Sequence, residues 1–304
     1  MGMANANKIT PQYLARALRL PFITASALPF IFGSLLAKQS FNLVNFLLGL
    51  ICVVSTHLSA NLLNDYADSQ SGADWKDKRF FKFFGGSKLI QEKILSTEFY
   101  LSSALICFGV ALFSIFLLAF IQKSLFIITL YLCILLLSWS YSAKPLAFSY
   151  HRFGEIIIFL LFGQATVMGG YYIQTRIFPT LEGFLLSLPF GLLTTAILFA
   201  NEIPDFPDDL AAGKFTWVSI AGPKKAYNIY LGLILLAFFV IIEAVFFKLL
   251  SPLALVSLIF LLPAFKASAI LKKYYANKEQ LVVSSKLTIA IQALVSIILI
   301  LSIL

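Results

Sequence analysis

Asn64-Asp65-Tyr66-Ala67-Asp68-Ser69-Gln70-Ser71-Gly72-Ala73-Asp74 follows directly on an apolar run, Phe41 to Leu63, that is long enough to cross a bilayer. Three carboxylates at the mouth of a membrane helix are costly unless something cationic sits among them. A second stretch, Asn201-Glu202-Ile203-Pro204-Asp205-Phe206-Pro207-Asp208-Asp209, closes another apolar run, and both begin Asn-[Asp/Glu]-x-x-Asp. The repetition points to one functional site built twice over.

The rest of the chain supports a membrane setting. It is 60% hydrophobic and 12% charged, against roughly a quarter charged in soluble domains. A chain of this length cannot hide so much apolar surface inside itself, so lipid must be part of its solvent. The net charge of +9 sits between the apolar runs, where it sets orientation, and it does not point to nucleic acid. Cys52, Cys107 and Cys133 each fall inside an apolar run and read as small packing residues. The first 19 residues have no apolar core of the signal-peptide kind, and Ala6 stands where a myristoylation signal needs Ser or Thr.

Residues 1–19 read as an N-terminal segment with a short interfacial helix from Pro11 to Arg19, and residues 20–304 as a single transmembrane domain. Apolar length predicts an all-α protein with nine spans, about 20–37, 41–63, 99–121, 124–141, 156–173, 184–200, 229–247, 252–271 and 287–304. The long connections alternate with short ones and fall on one side. That side carries 18 Lys and Arg, against Lys38, Lys123, Arg176 and Lys248 on the other. The asymmetry places the N-terminus and the long loops in the cytoplasm. The two acidic stretches end the second and sixth spans, so they emerge on this same side. Parallel motifs facing one another across a central cavity that opens to the cytoplasm is the natural inference.

His57, Asn61, Asn64, Asp65 and Asp68 form one helical stripe, and Asn201, Asp205 and Asp209 are spaced four apart. Pro204 and Pro207 predict fraying or a kink there. The oxygen donors Asn64, Asp65, Asp68, Asn201, Asp205 and Asp209 suit a hard divalent cation, Mg²⁺, which takes one or two carboxylates and completes its shell with water and substrate phosphate. Candidate phosphate ligands are Lys88, behind the permissive Gly85-Gly86 pair, Lys144, Arg19 and Arg152. Lys76, Lys78, Arg79 and Lys82, interleaved with Phe80, Phe81, Phe83 and Phe84, read as interfacial anchors. Tyr66 and Tyr141 are placed in the cavity. His57 reads equally as an intramembrane hydrogen bonder or as a base.

At these residues the sequence resembles the UbiA-type intramembrane prenyltransferases. Asn64-Asp65-x-x-Asp68 with Gly72-x-Asp74, and Asn201-Glu202-Ile203-Pro204-Asp205 with Ala212-Gly213-Lys214, are similar to that family's two aspartate-rich motifs. The Asn-Glu-Ile-Pro-Asp form, Gly85-Gly86-Ser87 and Tyr141-Ser142-x-x-Pro145-Leu146 are most similar to the menaquinone branch, which prenylates 1,4-dihydroxy-2-naphthoate. The sequence departs at Arg19-Leu20-Pro21, where that branch has Arg-Pro. Asp74 stands six residues after Asp68, whereas the hydroxybenzoate branch places its last aspartate four residues on.

The resemblance implies a nine-helix fold and a multi-pass enzyme of the plasma (inner) membrane. It also implies Mg²⁺-dependent transfer from a polyprenyl diphosphate to an aromatic acceptor, with Asp65, Asp68, Asp205, Lys88 and Lys144 as catalytic residues. Acceptors of the 4-hydroxybenzoate or homogentisate type are the alternative within the class. An ion-coupled transporter is the alternative outside it, disfavoured because both acidic clusters lie at one membrane face and carriers place such sites near the midplane.

Overall fold

The computed structural model describes residues 10–72, 75 and 77–304. Asp74, Lys8 and Lys76 lie outside the described residues. Among the described residues the regular elements are helices, and the one β feature is an isolated bridge between His151 and Phe215.

α1 (Pro11–Ala17) begins where the Thr10 side chain accepts from the Tyr13 amide, a standard N-cap. A single 3₁₀ turn, Leu20–Phe22, then leads into α2 (Thr24–Leu36). α2 is 13 residues long, about 20 Å at 1.5 Å per residue, too short to cross a hydrocarbon core of about 30 Å alone. Eight of the described helices are long and apolar enough to span, or nine if α1 and Leu20–Leu36, bent by 51°, count as one. The bend falls at Leu18 and Arg19, where the interfacial helix expected from the sequence ends, and Leu20–Leu36 coincides with the expected run of about 20–37. Arg19 adopts a left-handed conformation, φ 49°, at the bend, and Pro21 occupies the start of the short turn, where its missing N–H is harmless.

The chain continues through α3 (Leu43–Ser71), α4 (Thr97–Gln122), α5 (Leu125–Ser142) and α6 (Gly154–Phe159). A π turn, Leu160–Ala165, joins α6 to α7 (Thr166–Thr175). Then come α8 (Leu181–Ala211), the short α9 (Trp217–Ala221) and α10 (Tyr227–Phe246). A 3₁₀ stretch, Pro252–Phe260, runs into α11 (Leu261–Tyr274), and α12 (Lys278–Ile303) closes the bundle.

Two helices overrun their expected ends, and both overruns shape the site. α3 stays helical to Ser71 and stops at Gly72, whose φ of +85° is the left-handed cap that glycine adopts without penalty. α8 runs unbroken through Pro204 and Pro207 to Ala211, so the expected fraying is absent. Each proline deprives the preceding turn of a hydrogen bond. Packing holds the helix instead: Ala200, Ile203 and Pro204 are buried, and α8 is the most enclosed of the spans. It packs against α6, the π turn, α10 and α12, while α3 lies along α4 and α2 along α7.

Phe190, Phe199, Ile203, Tyr230 and Phe238 form the heart of the main core. Phe81 and Phe84, expected as interfacial anchors, join that core, with their rings stacked 5.1 Å apart. The loop after α3 folds back across the helix ends, and burying two aromatic rings favours that path.

α2 and α7 approach backbone to backbone. A Cβ built at Gly33 would lie 2.0 Å from the Val167 carbonyl oxygen, and one at Gly170 2.6 Å from that of Phe30. Lipid offers no hydrophobic drive between helices, so close contact of this kind carries the association. Gly33→Ala is expected to cost about 1–3 kcal/mol by overpacking, read as a lower melting temperature in detergent. An unchanged melting temperature would mean the two helices part without cost.

Candidate active site

A cavity of about 760 Å³, mostly apolar, is lined by α3, α5, the π turn and α8. At its polar end Asn64, Tyr66 and Asp68 of α3 meet Asn201, Glu202, Asp205 and Asp209 of α8, with His57, Asn61 and Tyr141 also on its wall. The extra helical turns create this arrangement. His57, Asn61, Asn64 and Asp68 follow at intervals of four, three and four, and Asn201, Asp205 and Asp209 at intervals of four, so each set shares one helix face.

Asp65 is one residue out of phase with that face. It is buried and does not line the cavity. Its carboxylate is ion-paired with Arg19 and accepts the Ser87 amide at 3.1 Å. Ser87 is held in turn by the Tyr100 hydroxyl at 2.5 Å and by Arg16, which donates to its carbonyl at 2.6 Å and pairs with Glu92. Asp65 thus anchors the loop, although the sequence grouped it with the metal ligands.

The same loop is tied to the other helix. The Gly85 amide donates to Asp205 Oδ2 at 2.9 Å, and Gly85 and Gly86 have φ of +70° and +73°, which favour glycine. A Cβ at Gly85 would lie 3.5 Å from Asp205 Oδ1 and 3.9 Å from Lys88 Nζ. The ammonium and the carboxylate therefore flank one glycine, and Lys88 lines the cavity.

Three further groups complete this end. Lys214 Nζ sits 3.2 Å from Asp209 Oδ1. Burial opposes its charge, but Asp209 and then Asp68 outweigh that and hold the ammonium pKa well above the usual lysine range. Lys278 bridges Asp208 at 2.6 Å and Asp77 at 3.2 Å. Asp77 also pairs with Arg79 at 3.0 Å, and that hydrogen bond holds its carboxyl well below the ordinary range. Tyr150 points its hydroxyl at Asp68 Oδ1, 3.5 Å away, and burial followed by that carboxylate raises the phenol pKa.

Of the expected cations, Arg19 and Lys88 line the cavity, whereas Lys144 and Arg152 are exposed and do not. Arg152 lies 5.9 Å over the Phe215 ring, and Lys144 precedes a cis proline. Lys278 and Tyr150 were not singled out from sequence, and Lys214 was named only within the second motif's Ala212-Gly213-Lys214, with no role of its own. Lys214 carried a usable signal, because it follows the turn residue Gly213, φ +73°, just after Asp209. Lys278, at the start of α12, carried none.

The donor set fits a hard cation whose shell is shared with a ligand. Among the described residues no three His, Cys, Asp or Glu side chains stand close enough to hold a metal by themselves. Amide and carboxylate oxygens line the two facing walls, and Asn201 Oδ1 is enclosed without a hydrogen-bond partner. Mg²⁺ accepts such a set, since it takes few carboxylates and retains water or phosphate oxygens.

Residues 26–290 match the model of the UbiA prenyltransferase family. The chain is 30% identical over 220 residues to UbiA prenyltransferase domain-containing protein 1 of Dictyostelium discoideum, covering 71% of this chain and 66% of that protein. It is 27% identical over 221 residues to the 1,4-dihydroxy-2-naphthoate octaprenyltransferase of Bacillus subtilis, covering 72% and 68% respectively. The chain thus spans about two thirds of the length of these relatives. A UbiA homolog from Aeropyrum pernix shares the fold with a TM-score of 0.70 at 20% identity, over 92% of this chain and 98% of that one. A second, from Archaeoglobus fulgidus and bound to GPP and Mg²⁺, has a TM-score of 0.57 at 14% identity, over 93% and 99%.

Removing Arg19 would leave the Asp65 carboxylate buried with its charge uncompensated. Arg19→Ala is expected to lower stability by about 3 kcal/mol, measured by thermal unfolding in detergent. If Arg19→Ala melts like the parent, Asp65 does not depend on the pair.

Proposed function

The chain belongs to the UbiA prenyltransferase family, and on that premise we propose that it transfers a polyprenyl group from its diphosphate to 1,4-dihydroxy-2-naphthoate within the bilayer. The observation that carries the reading is the pair of acidic stripes facing across one apolar cavity whose polar end is ringed by Arg19, Lys88, Lys214 and Lys278. An apolar chamber with an ionic end matches a lipid diphosphate in shape and polarity. The acceptor rests on the form of the second motif and on relatives named for that acceptor.

In this reading Asn64 and Asp68 on α3 and Asn201, Asp205 and Asp209 on α8 hold Mg²⁺, the ion that the Archaeoglobus fulgidus homolog binds together with GPP. When bound, the ion offsets charge that builds on the departing diphosphate. Lys88 and Lys214 bind the outer oxygens, Lys214 kept in place by Asp209 of the second motif and Lys88 beside Gly85. Asp65 positions Arg19 at the same end. The prenyl tail lies along the apolar wall, and the Tyr141 and Phe162 rings stabilise positive charge on the allylic carbon. Lys144 and Arg152, outside the cavity, have no part in the step. The excess of Lys and Arg in the loops on that side supports an ionic end that faces the cytoplasm.

Asp68→Ala and Asp205→Ala are each expected to abolish transfer while the protein remains folded in membranes; full activity in both would remove the two-motif site. Lys88→Ala should weaken prenyl diphosphate binding by roughly 2–3 kcal/mol, seen as a raised KM for that substrate. Purified protein with Mg²⁺ and a polyprenyl diphosphate should prenylate 1,4-dihydroxy-2-naphthoate and not 4-hydroxybenzoate. Chromatography showing only the prenylated hydroxybenzoate would refute the acceptor and keep the reaction class.

A further inference from the structure

The polar lining of the cavity continues below the carboxylates. Thr194 lies seven residues before Asn201 on α8, about 10 Å deeper, and Asn61 lies about one turn before Asn64 on α3. Both line the cavity. His57, two turns below Asn64, is already engaged: its Nδ1 lies 2.8 Å from Ser26 Oγ, and its ring packs edge-on to Phe162.

Thr194 and Asn61 are not so engaged. Thr194 Oγ1 and Asn61 Nδ2 are enclosed and have no hydrogen-bond partner among the described residues, and Thr194 is only 5% exposed. A helical threonine can bond the carbonyl four residues back. The adjacent Thr195 does so, reaching the Gly191 carbonyl at 2.8 Å, whereas Thr194 does not. The other polar groups at this depth, Ser26, His57, Thr56 and Tyr131, bond one another or the backbone. An unpaired group such as Thr194 or Asn61 is costly unless a ligand pairs with it.

We propose that Thr194 and Asn61 form the acceptor's recognition wall, hydrogen-bonding a ring hydroxyl so that the aromatic face is presented to the allylic carbon. Neither residue carries charge, so the pair suits a neutral hydroxyl better than a carboxylate. The proposal rests on the prenyl-transfer reading above and adds the two residues that select and orient the ring. A site built to bond a hydroxyl discriminates strongly against an analogue that lacks it, because its own polar groups are then left unpaired.

The test uses the full purified chain with Mg²⁺, geranylgeranyl diphosphate and 1,4-dihydroxy-2-naphthoate, with 1-hydroxy-2-naphthoate as a competitor lacking one hydroxyl. In the parent protein the competitor's inhibition constant is expected to exceed the acceptor KM about tenfold or more, a factor typical of one lost buried hydrogen bond. Thr194→Val and Asn61→Leu should raise the acceptor KM by about the same factor, leave the KM for geranylgeranyl diphosphate unchanged and bring the two acceptor constants together. Thr194→Ser should retain the parent behaviour. Equal constants for the two naphthoates in the parent, an unaltered acceptor KM in both variants, or a donor KM that rises in step would overturn the proposal. Parent transfer with unaffected variants removes this inference alone, whereas a parent that prenylates no hydroxylated ring removes the functional reading with it.

Discussion

Carboxylates gathered at the ends of two apolar helices repel one another, and the arrangement of the molecule depends on how cations are distributed among them. Asp65 takes Arg19, Asp209 takes Lys214, Asp208 takes Lys278, and Lys88 lies beside Asp205 across Gly85. Each cation comes from a loop or a helix end. Neutralising the acids therefore draws the chain's connections onto the mouth of the cavity, and Phe81 and Phe84 enter the core as part of the same movement. Buried ion pairs of this kind add little net stability over apolar replacements, but breaking one leaves a stranded charge, so they specify a single arrangement.

Helical phase then divides the acids into two groups. Asp68, Asp205 and Asp209 share their helix faces with Asn64 and Asn201 and look into the cavity. Asp65 is one residue, about 100°, off that face, and it spends its charge on Arg19 and its other oxygen on Ser87. Asp77, on the loop, serves Arg79 and Lys278. Residues adjacent in sequence thus do different work, one set open to a ligand and the other fixing the loop that covers it.

The helical class and the meeting of the two motifs were legible because length, hydropathy and the repeated Asn-[Asp/Glu]-x-x-Asp are local properties. The bend before the first span was legible in position and not in angle: Arg16, Arg19 and Pro21 mark where the interfacial stretch gives way to the apolar run, but nothing local sets the 51°. The prolines of the second stretch misled, since propensity cannot show that α8 is wrapped by neighbours on most sides. Asp65 could have been separated from the ligand set by strict phase, had the stretch been known to stay helical. Lys278 was beyond reach, because no spacing rule links the first residue of α12 to Asp208. Lys144 and Arg152 looked equivalent to Lys88 by charge and loop position, and only the fold distinguishes them.

The two walls of the site are consequently held by different means, although their sequences look like repeats. The α3 stretch ends in a glycine cap and is fastened from outside by Arg19 and the Ser87 amide. The α8 stretch has lost hydrogen bonds to its prolines, and a helix with freed carbonyls persists at membrane depth only where protein or a polar cavity surrounds it. Ala200 and Ile203, whose carbonyls Pro204 and Pro207 cannot satisfy, are almost wholly enclosed. Rigidity on the α8 side therefore comes from the core itself, through Phe199, Ile203 and the helices packed on them. On the α3 side it comes from electrostatic and amide contacts with a loop. The Gly85 amide on Asp205 is where these two systems meet, and it sets the spacing between the loop's lysine and the carboxylate beside it.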